Sequence, residues 1–577
     1  MANIAPTGMP ATNITSKERA KNWAKYFSWL LFIILAIHVC CIFLLASVPP
    51  ISRDALIHHL AIPKIYLNMG GFYEIPSMHF SYFPMNLDLL YMLPLYFKND
   101  IVPKYIHFFF AIICAILLYS YLKDKLNRVY GLIGALFFLT TPIIVKLSIT
   151  AYVDLGLIFF SWASLYCFLK WYGKAFQFRY LIFSGIACGL ALGTKYNGLI
   201  LLVIMATLIS LSYSIQTNAA LPITEYKKRY ANSIKGLGYG TVFVLISLIL
   251  FSPWMIRNII WKQNPLYPLY ESVFNPPEIV SVNETVQKEK ELPRNAFWLR
   301  RYIYNETFTQ TVTIPFRMFF QGQDDNPKYF DGKLNPLLLL LPLLSFFCLR
   351  KNASELIYDR NILSIFGILF TLFVLFKADF RIRYMSPAIP ALVVLSVFGL
   401  KNIVSLLSEK NTFFRNLGIG IVSLFVFLAL CYNANYIRTQ FSFVQPLGYI
   451  AKKINRDTYI SNYRFEYPVI QYANEILPMD ARVLCLSIGD RTYYIDRHVH
   501  LAEDFYDKEN GIFSEFELLK KLSRSETSHI ILSRNTYLDW ARSLKPEERN
   551  VFENVFQKNT KLLYEKNGVL LLELKPT

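Results

Sequence analysis

The chain has 577 residues, 54% of them hydrophobic, with a formal charge of +19. A mean hydropathy of +0.33 is too high for an ordinary soluble domain. The cations cluster between long apolar runs rather than along a groove, which argues for membrane orientation and against a nucleic-acid partner. Of the 8 cysteines, all but Cys485 lie in or beside apolar runs. None shows a CxxC or Cys/His metal spacing, so neither a disulfide framework nor a structural zinc site is expected.

Runs of bilayer-spanning length fall near 26–48, 101–122, 129–146, 152–170, 180–194, 197–215, 236–252, 336–349, 361–376, 386–400 and 416–432, which predicts about eleven transmembrane helices. The first run is too long for a signal-peptide core and no small-residue cleavage site follows it. The 180–214 region is read as two spans, because one would be far too long. Basic residues precede the first run and recur at Lys123/Lys125/Arg128, Lys170/Lys174/Arg179, Lys227/Lys228/Arg229/Lys235, Arg350/Lys351/Arg360 and Lys401/Lys410/Arg415. With the N-terminus cytoplasmic, all of these fall on the cytoplasmic side. The expectation is a multi-pass protein of the cell inner (plasma) membrane.

The opposite, outer junctions then gather the unusual residues. The first outer loop, 49–100, holds Asp54, His58, His59, Lys64, Glu74 and His79. Two helices are predicted there along the interface, with Leu56, Leu60 and Leu67 against lipid and Gly70-Gly71 ending the first. Met85–Phe97 is apolar with Asp88 alone. Lys146 and Asp154 share the next outer junction, and Lys195 sits in Gly193-Thr194-Lys195-Tyr196-Asn197-Gly198. A long outer loop, 253–335, opens with Pro253-Trp254-Met255-Ile256-Arg257-Asn258 and is broken by Pro265, Pro268, Pro276, Pro277 and Pro293. The last outer junction carries Lys377-Ala378-Asp379-Phe380-Arg381-Ile382-Arg383-Tyr384. Beyond the membrane domain, 1–432, a C-terminal extracytoplasmic α/β domain is predicted over 433–577. Its strands are expected at Ala481–Ile488, His529–Ser533 and Val569–Leu574, and its helices at Glu466–Ile476, Ser514–Leu522 and Glu547–Gln557.

Asp54 stands at the mouth of the first span, one helical turn before His58. It suits an N-cap, and it suits a general base; the two roles are compatible. His58 and His59 point to different faces, one as a structural group and the other as a ligand or proton shuttle. Lys195, Arg257, Arg381 and Arg383 are candidate clamps for an anionic leaving group, against the alternative of snorkelling to headgroups. Asp154 has three readings: a helix cap, a partner of Lys146, or a ligand of acceptor or metal. Gly489-Asp490-Arg491 reads as a turn.

Asp54…His59-Leu60…Pro63-Lys64…Tyr66 resembles a pattern of the C-type (GT-C) membrane glycosyltransferases, in the group of the protein O-mannosyltransferases (glycosyltransferase family 39) and the aminoarabinose transferases. Tyr152-Val153-Asp154, Gly193-Thr194-Lys195-Tyr196, Pro253-Trp254…Arg257-Asn258 and Arg383-Tyr384…Pro387-Ala388…Pro390 add to the resemblance. The resemblance implies a multi-pass α-helical GT-C fold and an inverting transfer from a polyprenyl-phosphate sugar to a lipid or envelope-glycan acceptor. Asp54 would be the base and Asp154 the second acid. Lys195, Arg257 and Arg383 would hold the donor phosphate, supported by His58, His59, Lys64, Arg381 and Tyr384. Relatives carry Asp-Glu where this chain has Asp54-Ala55, and Tyr where it has His58. A divalent metal is left open. The other readings are a flippase of lipid-linked sugars and a glycan ligase with a lipid-diphosphate donor; the absence of an internal repeat weighs against the flippase.

Overall fold

The computed structural model describes residues 16–219, 221–276, 296–347, 354–375, 380–501, 514–544 and 546–575. Pro277, Pro293, Cys348, Arg350, Lys351 and the stretch from Lys377 to Asp379 lie outside them. All eleven predicted spans fall on helices, but not all are full crossings. Among the described residues, 8 helices are long and apolar enough to cross a membrane, or up to 9 with one bent pair. The bent pair, Arg128–Thr140 and Pro142–Ser148, turns by 65° at Thr141. There Pro142 cannot continue the hydrogen-bond ladder of the first helix. Phe178–Leu192 is a shorter apolar helix, and among the described residues of the run predicted at 336–349 the helix is Leu337–Leu344, with 8 residues.

Small residues set the closest helix contacts. Gly236 and Gly240 of Tyr226–Lys262 face Ser214 and Ser210 of Gly198–Ala219, where an added Cβ would lie 2.4 and 2.1 Å from the serine hydroxyls. Such spacing lets two backbones approach in an apolar solvent, where dispersion rather than water drives packing.

The first outer loop is built from a π-helical turn, Ala55–His59, then the helices Ala61–Met69 and Asn86–Tyr96. Gly70, at φ 71°, closes the first helix in the left-handed region that glycine adopts at no steric cost. Leu56 and Leu60 are 1% and 0% exposed and belong to the main apolar core, which corrects their expected lipid contact: both pack into protein.

Beyond the last long helix, Thr412–Val444, the chain forms a mixed five-stranded sheet. The strands are β1 (Arg482–Leu486), β2 (His498–Leu501), β3 (His529–Ser533), β4 (Thr560–Lys566) and β5 (Val569–Leu574), in the order β2-β1-β3-β5-β4. β1 pairs parallel with β2 and β3, and β5 pairs antiparallel with β3 and β4. The strand period of two sorts its side chains. Leu484, Leu486, Ile530 and Leu532 face helices Glu515–Arg524, Arg534–Ser543 and Pro546–Asn559. Val483, Cys485 and Ile531 face helix Tyr467–Ile476, in one apolar cluster with Ile62, Tyr66, Met85, Tyr196 and Trp254. The soluble layer and the first outer loop therefore share a core.

Gly193 is the tight point between that loop and the bundle. Its carbonyl accepts from Asn86 N–H at 2.8 Å, and a Cβ would lie 2.2 Å from Asn86 Nδ2. Asn86 is not free to retreat, because its Oδ1 accepts from Trp254 Nε1 at 2.8 Å. Gly193→Ala is expected to cost about 1–3 kcal/mol, read as a lower melting temperature in detergent.

Candidate active site

Asp54 does not cap the turn that follows it: it makes no side-chain cap bond. Its carboxylate instead accepts from Arg383 Nη1 at 2.5 Å, so a residue at the first loop meets one at the start of a span far along the chain. Beside it, Lys195 Nζ donates to Asp154 Oδ1 at 2.7 Å. Asp154 therefore pairs with Lys195 and not with Lys146, which lies 3.1, 3.2 and 3.7 Å from Asp325, Asp331 and Asp324. Tyr384 joins the two pairs, its ring centre 5.5 Å from Lys195 Nζ and 5.3 Å from Arg383 Cζ. Asp154 Oδ2 and Arg383 Nε are buried without a hydrogen-bond partner. An acceptor and a donor are thus left open in a cluster whose formal charges otherwise cancel.

Burial pushes the Asp54 carboxyl up, but the Arg383 guanidinium outweighs it and holds the group well below the usual carboxylate range. The carboxylate is therefore ionised at neutral pH. Its contribution to stability is in place above the ordinary carboxyl value and is lost as pH falls through the lower folded one.

Both imidazoles are driven neutral. Burial lowers His58 and takes His59 down to about 3. His58 stacks on Phe80 with ring centroids 4.1 Å apart, and its Nδ1 is buried without a partner. His59 Nδ1 lies 2.8 Å from Asp88 Oδ1, and burial lifts Asp88 to about 7. Below that value the pair is a protonated carboxyl donating to a neutral imidazole.

Three predicted residues stand apart from this cluster. Arg257 lies between Trp254 and Trp261, its Cζ 4.7 and 5.0 Å from their ring centres, and donates to Tyr82 O, Phe83 O and Asn258 Oδ1. Among the described residues no carboxylate neutralises it. Arg381 Nη1 lies 3.3 Å from Asp331, which anchors the strand-like step leading into Arg383. Lys64 points to the C-terminal domain. Arg491 of the Gly489 turn pairs with Glu466 at 2.5 Å. Sequence reasoning gave Asp88 no role, although a single acid in an apolar helix was itself the signal. It named Tyr152 in a motif but gave it no role, and its ring centre lies 5.5 Å from Arg383 Cζ. Among the described residues no three His, Cys, Asp or Glu side chains group as a metal site requires. Asp54 and Asp154 are each engaged by a cation.

Two outcomes are expected. Arg383→Gln removes the counter-charge while burial remains, so the acid limb of the pH–rate profile moves to higher pH, and the orphaned carboxylate costs about 3–5 kcal/mol of stability. Asp88→Asn keeps a donor for His59 and leaves thermal stability nearly unchanged, whereas Asp88→Ala leaves a buried nitrogen unpaired and costs about 1–3 kcal/mol.

Residues 78–259 match the family described as dolichyl-phosphate-mannose-protein mannosyltransferase. No curated protein matches the chain. The structure is similar to ArnT from Cupriavidus metallidurans bound to undecaprenyl phosphate, at 12% identity and a TM-score of 0.51, over 96% of this chain and 98% of that one. It is also similar to the apo oligosaccharyltransferase of Archaeoglobus fulgidus, at 12% identity and a TM-score of 0.55, over 96% and 75% of the two chains. A third likeness is to AglB of the same organism in complex with an inhibitory peptide and a dolichol-phosphate, at 12% identity and a TM-score of 0.53, over 96% and 75%. The chain has the fold of the GT-C membrane glycosyltransferases, and residues 78–259 carry the sequence features of the protein mannosyltransferase family.

Proposed function

We propose that the chain is an inverting glycosyltransferase that moves a sugar from a polyprenyl-phosphate donor to a lipid or cell-envelope glycan acceptor on the extracytoplasmic side of the inner membrane. The observation that carries this reading is the ionised Asp54, held at 2.5 Å by Arg383 beside the Asp154–Lys195 pair. Asp54 takes the proton of the acceptor hydroxyl as its oxygen attacks the anomeric carbon. The bond from that carbon to the phosphate oxygen breaks on the opposite face, so configuration inverts and the lipid leaves as its phosphate. Negative charge grows on the departing oxygen, and fixed cations stabilise it best where water is excluded. Arg257 suits this task, since its charge is uncompensated by any described carboxylate and its plane is fixed between two indoles. Lys195 assists only by loosening its bond to Asp154. Asp154 Oδ2, buried without a partner, would accept from a sugar hydroxyl. The similar ArnT structure is bound to undecaprenyl phosphate, and a lipid phosphate of that class is the donor chemistry this arrangement would admit.

The test is sugar transfer in membranes supplied with a labelled polyprenyl-phosphate sugar. Asp54→Asn is expected to lower transfer about 10²–10⁴-fold at unchanged expression; undiminished transfer would remove the base assignment and the reading with it.

A further inference from the structure

The segment from Pro50 to Lys64 carries Asp54, and the C-terminal domain grips it at three places. Tyr494 Oη donates to Pro50 O at 2.7 Å, ahead of the acid. Tyr493 N–H donates to Leu56 O at 3.2 Å, inside the π-turn. Lys64 Nζ donates to the carbonyls of Tyr493 and Ile495 at 2.7 and 3.1 Å, beyond the turn. Its third donor goes to Asp496 Oδ1 at 2.6 Å, which uses the full capacity of an ammonium group. Asp496 is 57% exposed, so that ion pair adds little by itself; the two carbonyls are the directional part of the grip.

The strap from Tyr493 to Asp496 is itself fixed from behind. Asn474 Nδ2 donates to Tyr494 O at 2.8 Å, and Asp496 N–H donates to Asn474 Oδ1 at 2.9 Å. The segment it holds needs support, because a π-turn, closed here by Leu60 N–H on Ala55 O at 2.9 Å, is a rare conformation found mostly at functional sites. Lys64, Tyr493, Ile495 and Asp496 also wall a cavity of about 1180 Å³. Water on that side competes for the Lys64 bonds, so the grip depends on the ammonium charge.

We propose that the C-terminal domain is a structural part of the active site, with Lys64 as the positioning residue that locks the strap at Tyr493–Asp496 onto the segment bearing Asp54. This rests on the reading of Asp54 as the base, but its first test does not. Hydrogen–deuterium exchange on the full chain in detergent compares the wild type with Lys64→Met, Lys64→Arg and Tyr494→Phe. Lys64→Met is expected to speed exchange at residues 56–64 about tenfold while β1 and β3 exchange as before. Lys64→Arg is expected to restore most of the protection, and Tyr494→Phe to give a smaller change. In the transfer assay Lys64→Met is expected to lower kcat about tenfold at unchanged donor KM, with Lys64→Arg recovering it. Unchanged exchange at 56–64 would overturn the proposal, as would an equal rise in β1, which reports general unfolding. Should the wild type transfer no sugar, the exchange result still decides whether the strap holds the segment.

Discussion

Two ion pairs set side by side, Asp54 with Arg383 and Asp154 with Lys195, are the constraint on which the rest of the molecule depends. Asp154 is only 1% exposed, and Asp54, Lys195 and Arg383 are partly buried. Charges in such surroundings persist only when their partners are held in good geometry. Four separate stretches of chain must therefore reach one point: the first loop, the start of the Asp154 helix, the junction after Phe178–Leu192, and the entry to the span that follows Ile382. The packing of the bundle serves that convergence.

The approach of Arg383 shows how the scaffold does it. Arg381 is tied to Asp331, and Asp331 to Lys146. Ile382 between the two arginines is fully buried, and its N–H donates to Phe330 O at 2.8 Å. With one arginine anchored to the side and the backbone pinned, Arg383 is aimed at the acids. A second set of bonds plays the same part for the junction at Lys195. Asn86 closes on Gly193, and Asn197 Nδ2 reaches Tyr384 O at 3.4 Å.

Much of this was legible in the residues. Hydrophobic runs placed the long apolar helices, and β1, β3 and β5 of the C-terminal sheet were marked by their β-branched and leucine-rich patches, whereas the more polar edge strands β2 and β4 gave no such signal. Acids and cations at alternate helix junctions pointed to one end of the bundle. What periodicity could not give was partner choice. Lys146 and Asp154 are near in sequence yet bind elsewhere, because Lys146 is drawn to acids in a loop far along the chain. Nor could it give the π-turn at Ala55–His59 or the burial of Leu56 and Leu60 within the protein core. Span lengths failed for a similar reason. The runs at 129–146 and 336–349 are both apolar, but Thr141-Pro142 bends the first, and the described helix of the second ends at Leu344. Asp88 was visible as an isolated acid, and only the fold supplied its imidazole.

The helix Thr412–Val444 has 33 residues, which at 1.5 Å per residue makes a rod of about 50 Å, longer than the roughly 30 Å hydrocarbon layer. Gln445, in the left-handed region, ends the rod, and the short helices Pro446–Ile450, Arg456–Tyr463 and Tyr467–Ile476 lead from it to the sheet. One residue added within the rod would turn its far end by about 100° around the axis and advance it by about 1.5 Å, so the register of this shaft sets where the chain leaves the bundle.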